Sequence, residues 1–156
     1  MKIKLIVVGK TTDKNIISGF EDYLNRIKHY VPFEVIVIPE IKNTKKLSIE
    51  AQKKQEGELI QKQLQATDTV VLLDEHGKEW RSVEFASWIE KQQQSVRSLV
   101  FVVGGPYGFS DDVYHRSNEK ISLSKMTFSH QMIRLLFAEQ LYRAYTIISG
   151  QPYHHE

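Results

Sequence analysis

"LVFVVGGPYGFSDD", Leu99 to Asp112, is the stretch that decides how this chain folds. Five apolar residues run without a polar break into three glycines and a proline within five positions, then a serine and two aspartates. A continuous apolar run of this length reads as a strand buried on both faces, as in parallel sheets. A loop almost without side chains directly behind it has two explanations. Either a tight turn sits there, or something must approach its backbone closely.

Working outward, the same composition recurs in "KLIVV" (Lys4–Val8), "FEVIVI" (Phe33–Ile38) and "TVVLL" (Thr69–Leu73). Longer amphipathic segments lie between these runs and predict helices over Lys14–Tyr30, Ser48–Gln65 and Val83–Gln93. Strands alternating with helices predict an α/β domain: a mostly parallel sheet flanked by helices. After the glycine loop, "SDDVYHRS" predicts a short helix capped by Ser110. A long helix follows from about His130 to Ser149, with Ile133, Phe137, Leu141, Ala144 and Ile148 on one stripe. Met132, Leu135 and Tyr142 widen that stripe beyond one face, so the helix is central to the core or covered by a second subunit. With 156 residues and no linker, repeat or low-complexity tract, one domain spans 1–156.

Composition narrows the chemistry. There is no cysteine, which excludes disulfides, thiolate zinc sites, iron–sulfur clusters and a Cys nucleophile. Only Leu5–Val8 is apolar near the N-terminus, too few residues for a signal-peptide core. No apolar run approaches membrane-spanning length. A soluble, cytoplasmic protein without membrane contact is expected. The net charge of +2 fits an acidic partner such as RNA but equally fits many small enzymes.

Four motifs are weighed against plainer readings. "VVGKTT" (Val7–Thr12) resembles a phosphate loop, but the glycine required five residues before Gly9 is Lys4, so it reads as a strand-ending turn. "LDEHG" (Leu73–Gly77) puts Asp74 and Glu75 past a strand's carboxyl end, where open α/β sheets bind ligands. On its own it reads as a polar turn. Lysines 42, 45, 46, 53 and 54 are diluted by Glu50, Glu56 and Glu58 and read as a solvated face. The adjacent His154 and His155 point apart on an extended chain and lack a third ligand, so no metal site is expected.

Three segments together change the weighting. "VVGGPYGFS" (Val102–Ser110), "SLSKMTFSHQMIRLLFAEQLYRAY" (Ser122–Tyr145) and the terminal "PYHHE" (Pro152–Glu156) resemble the ribosomal RNA large subunit pseudouridine N3-methyltransferase family, of the SPOUT (α/β trefoil-knot) class. "MKIKLIVVGK" and "PFEVIVIP" match in place, so the resemblance covers nearly the whole chain. It implies a homodimer using S-adenosylmethionine to methylate N3 of a pseudouridine in large-subunit (23S) ribosomal RNA of the assembled ribosome, and a C-terminal trefoil knot. Knots are rare enough that the residues alone favour an unknotted sheet. Carried onto this chain, cofactor contacts fall at Leu73, Gly104 and Gly105, and along Leu123, Ser124, Lys125, Met126, Thr127 and Phe128. The glycines would let the cofactor lie against backbone. The family commonly ends in Tyr-His followed by arginine or lysine, whereas here that position is His155, neutral for much of the time near neutral pH.

The implied reaction moves a methyl group from a sulfonium to a ring nitrogen, which needs alignment and loss of the N3 proton but no metal. His154 is the candidate to position or deprotonate the base. Arg143 is the candidate to bind phosphate or stabilise the developing anion, and His130 is a third. Two rival readings are a non-catalytic RNA- or ribosome-binding module and an α/β enzyme acting on a nucleotide-like small molecule.

Overall fold

The structure is a computed structural model that describes residues 1–156. Five strands, β1 (Lys2–Val8), β2 (Phe33–Ile38), β3 (Thr69–Glu79), β4 (Ser98–Val103) and β5 (Glu119–Ser122), form one sheet in the order β2-β1-β4-β3-β5. Every pairing is parallel. The helices are α1 (Lys14–Ile27), α2 (Ile49–Lys62), α3 (Ser82–Ser95), α4 (Asp111–Arg116) and α5 (Met132–Ile148). The predicted strands and helices all form, shifted only at their ends.

Alternation along the central strands builds a core on each side of the sheet. Ile3, Leu5 and Val7 of β1 and Leu99, Phe101 and Val103 of β4 face Ile27, Phe85, Ile89, Phe137 and Leu141, which come from α1, α3 and α5. Ile6, Val100 and Val102 point the other way, toward Ile60 of α2 and Val113 of α4. All six residues of β4 are buried, as a strand covered on both faces requires. The wide apolar surface of α5 is largely taken up within the chain, because α5 packs on both α1 and α3.

One expectation is corrected. Asp74–Gly77 does not follow the end of a strand but lies inside β3. Ile121 of β5 pairs with both Leu73 and Lys78, so the four residues between them are thrown out as a bulge. Asp74 shapes it by accepting the His76 backbone N–H at 3.0 Å. Gly77 completes it, since a Cβ there would stand 2.7 Å from the Ile121 backbone nitrogen.

The last helix ends on a glycine in the left-handed region. Gly150 (φ +72°) donates to the Ile147 carbonyl at 3.1 Å, and Gln151 donates to Thr146 at 2.9 Å. This pair of bonds caps the helix and turns the chain back along it.

Candidate active site at the carboxyl edge of the sheet

Because all strands are parallel, their carboxyl ends share one edge. The β3 bulge, the loop after β4 and the loop after β5 enclose a cleft there of about 520 Å³. Of the sequence-predicted residues, Leu73, Gly104, Gly105, Leu123, Ser124, Met126, Thr127, Phe128 and His130 line it. Lys125 does not: its Nζ turns outward to Glu79 at 3.7 Å.

The loop Leu123–Phe128 has few internal hydrogen bonds. Met126 N–H donates to Ser124 Oγ at 3.0 Å and the Ser124 carbonyl accepts from Ser122 Oγ at 2.9 Å. No other backbone group between 123 and 128 is engaged. Polar main-chain groups lining a cleft without partners are available to a ligand. Two apolar side chains of the loop are left in solvent, Met126 at 76% and Phe128 at 39% exposure. Thr127 Oγ1 donates to Glu75 Oε2 at 3.1 Å and so bridges this loop to the β3 bulge.

The glycines also have neighbours within the chain. The Gly105 carbonyl accepts the Gly108 N–H at 3.2 Å, closing a tight turn over Pro106 and Tyr107. A Cβ on Gly105 would lie 2.5 Å from Glu56 Oε1, and one on Gly104 would meet the Phe109 ring at 3.1 Å. The missing side chains make room for Glu56 and Phe109, while both glycines also line the cleft. Burial pushes the Glu56 carboxyl above its ordinary range, while bonds from Gln52 and the Gly105 amide partly offset this.

Asp74 is the best-held charge in the cleft. Tyr114 Oη donates to Asp74 Oδ2, and His76 Nδ1 lies 3.2 Å from Oδ1. Burial alone raises this carboxyl, but the bonds from Tyr114 and His76 together with the His76 charge outweigh it and hold it below the usual value. Burial and the Asp74 bond push the Tyr114 hydroxyl upward.

Arg143 and His154 lie away from this cleft, in a second cluster between α1, α5 and the returning tail. Glu139 Oε1 accepts from Arg143 Nε at 3.0 Å and from Tyr153 Oη at 3.2 Å. The Tyr153 ring packs on Tyr142 with centroids 4.8 Å apart. Arg143 stands 3.1 Å from His154 Nδ1. A guanidinium only donates, so Nδ1 accepts and the His154 proton sits on Nε2. That Nε2 is buried and meets no acceptor in the chain. In this tautomer Nε2 carries a hydrogen and cannot take up a proton, and it is enclosed within the chain. His155 is exposed.

Sequence reading missed the residue that fixes the other half of this edge. Arg134 of α5 is 2% exposed and donates to the carbonyls of Val8 (2.8 Å) and Gly9 (2.9 Å), to Thr11 Oγ1 (2.9 Å) and to the His130 carbonyl (2.9 Å). Gln131 adds two more bonds, to Lys10 O at 3.0 Å and from Thr12 N at 2.8 Å. The phosphate-loop lookalike therefore serves to dock α5. The signal was present as a lone arginine inside "MIRLLFA".

A cleft at the carboxyl edge of a parallel sheet, rimmed by a glycine turn and a loop with free main-chain groups, is the place where open α/β proteins take small ligands. The comparisons specify which kind. Residues 1–154 match the family model described as "Predicted SPOUT methyltransferase", and the chain belongs to that family. It is 62% identical to the ribosomal RNA large subunit methyltransferase H of Phocaeicola vulgatus and to that of Bacteroides fragilis, over all of each chain. The protein of that name from Flavobacterium psychrophilum is 53% identical over the same span. No helix is long and apolar enough to cross a membrane.

Proposed function

We propose that this protein is an S-adenosylmethionine-dependent methyltransferase acting on N3 of a pseudouridine in large-subunit ribosomal RNA of the assembled ribosome. The reading includes the family's homodimer, trefoil knot and cytoplasmic location. The observation that carries it is the Leu123–Phe128 loop, whose free amides and carbonyls line the cleft in a chain so similar to ribosomal RNA methyltransferases.

The residues present fit the cofactor. The cleft volume lies within the range of small-ligand sites. Leu123, Met126 and Phe128 offer apolar cover, and the main chain between them offers donors and acceptors for a flat heterocycle. When bound, the donor supplies a methyl group already activated on a sulfonium, so neither a metal nor a protein nucleophile is needed.

What remains for the chain is to orient the acceptor base and manage the N3 proton. The Arg143 guanidinium, held by Glu139, is a fixed positive charge able to stabilise the anion left when that proton departs. The His154 Nε2–H is enclosed in this chain, and it would serve as a donor to a base carbonyl only once the tail shifts on RNA binding. His130 is an imidazole in the cleft wall, as is His76. Arg143 and His154 do not reach their own chain's cleft, which is why a homodimer belongs to the proposal: the second subunit would bring them to it.

Calorimetry with S-adenosylmethionine and S-adenosylhomocysteine, together with mapping of modified nucleotides in ribosomes with and without the protein, tests the whole reading. Deleting Tyr153–Glu156 separates its parts. Cofactor affinity is expected to stay within about threefold (~0.6 kcal/mol) of the parent, while methyl transfer is abolished. His154→Ala is expected to cost more activity than His155→Ala, because only His154 is held by Arg143. Parent-rate methylation by the truncated enzyme would leave the catalytic role to Arg143 or His130.

A further inference from the structure

Positive charge is not spread evenly over this protein. Residues 41–54 hold five lysines and one glutamate, a net +4, so the rest of the chain, at 2 − 4, carries −2. Lys42, Lys45 and Lys46 are exposed and belong to no ion pair. Lys53 alone among the five has an acidic partner, Glu50 at 3.4 Å.

The ends of this segment are pinned next to the cofactor cleft. On its amino side the Glu40 carboxyl lies against Gly9 at the end of β1, where a Cβ would come within 2.5 Å of Oε1. On its carboxyl side Glu56 lies in the same way against Gly105 at the end of β4. β1 and β4 are neighbours, and adjacent strands lie roughly 5 Å apart. The two carboxyls are close enough for Glu40 to raise Glu56. Residues 41–54 therefore leave and rejoin the carboxyl edge beside the cleft. A single 3-10 turn, Thr44–Lys46, carries two of the lysines, and Asn43 in the left-handed region (φ 61°) sets its start. Lys10, exposed in the loop after β1, stands on the same edge.

We propose that this basic segment, led by Lys42, Lys45 and Lys46 and joined by Lys10, holds the phosphate backbone of the substrate RNA alongside the cleft. The inference rests on the ribosomal RNA reading above and says which surface of the protein meets that RNA. Unpaired lysines on a turn make contacts of the kind that release counterions and set register without reading sequence. These lysines are exposed, as a solvated face requires, and RNA phosphate is the partner proposed for that face.

The test compares Lys42→Gln/Lys45→Gln/Lys46→Gln with Lys28→Gln/Lys62→Gln/Lys91→Gln. The second set removes equal charge near the carboxyl-terminal ends of α1, α2 and α3, at the opposite edge of the sheet. Binding to ribosomes and to deproteinised large-subunit RNA is measured over a range of salt, with methylation kinetics and S-adenosylmethionine calorimetry in parallel. For the first variant we expect at least about tenfold weaker binding to both targets and a salt slope shallower by about 2. KM should rise with kcat and cofactor affinity near the parent's, and the opposite-edge variant should behave as the parent. Parent-like binding and slope in the first variant overturn the proposal, as does an equal loss in both. Weakening on ribosomes but not on deproteinised RNA overturns it in favour of an acidic ribosomal protein. Loss of cofactor affinity or of thermal stability in the first variant also overturns it, since the segment would then be structural. Failure of the ribosomal RNA reading itself is distinct: the parent would methylate no ribosomal RNA.

Discussion

The two halves of the sheet's carboxyl edge look alike in sequence and differ in what their backbones are doing. After β1, "GKTT" (Gly9–Thr12) follows an apolar strand and precedes a helix, as the glycine turn after β4 does. In the first, Arg134 and Gln131 engage the carbonyls of Val8, Gly9 and Lys10, and Thr12 N–H donates to the Gln131 side chain. On the other half, Gly105 is itself engaged by Gly108 and Glu56, but the neighbouring Leu123–Phe128 loop leaves most main-chain groups without a partner. Glycine content does not separate a binding loop from a structural one. Hydrogen-bond occupancy does.

The comparison is broken most severely by Arg134→Met. Three backbone carbonyls and Thr11 would lose a charged donor in the interior, at a cost of roughly 3–5 kcal/mol. Chemical denaturation should show that loss, with a melting temperature lower by roughly ten degrees. A parent-like stability would mean that α5 does not clamp this loop.

Gly105→Ala should cost about 1–2 kcal/mol, because its Cβ displaces the buried Glu56 carboxyl. The same change in a Glu56→Ala background should cost less than half as much, and a double-mutant cycle measures the difference. Additive losses would show that Glu56 is not what Gly105 accommodates.

Asp74→Asn sharpens the account of the cleft's charge. The Asp74 carboxyl lies below its ordinary value, so its stabilisation is fully present above the unfolded value of ~3.9 and fades as pH falls toward the depressed folded value. The stability gap between parent and variant should therefore narrow on acidification from roughly pH 5 to pH 3. A constant gap across that range would contradict the assignment.

The smallest effects belong to the side chains of the Leu123–Phe128 loop. If its main chain recognises the ligand, Ser124→Ala, Lys125→Ala and Thr127→Ala should each change S-adenosylmethionine affinity by less than about threefold (~0.6 kcal/mol). A large loss at Lys125, which faces Glu79, would place recognition in side chains instead.

Much of this architecture was legible in the chain. Continuous apolar runs such as Leu99–Val103 locate the parallel strands because burial on both faces removes any polar alternation. Ser48 and Ser110 mark helix starts, and each accepts a backbone N–H three residues on. The cleft residues came from the family resemblance, and nine of them do gather at one edge. What stayed hidden depends on register and on distant partners. The β3 bulge follows from Ile121 pairing twice, which no local pattern encodes. Glu56 sits among solvated charges in sequence and turns inward only because Gly105 leaves room. Arg143 and His154 meet because Gly150 reverses the chain, a turn legible as a break but not as a direction.

The central claim is that the free backbone of Leu123–Phe128, and not the occupied loop after β1, binds the methyl donor. Amide resonances followed during titration with S-adenosylmethionine test it residue by residue. The account predicts shifts and slowed hydrogen exchange at Leu123–Phe128 and at Gly104 and Gly105, with Gly9–Thr12 unchanged. Perturbation centred on Gly9–Thr12, or saturable binding that leaves the 123–128 amides unmoved, would contradict it.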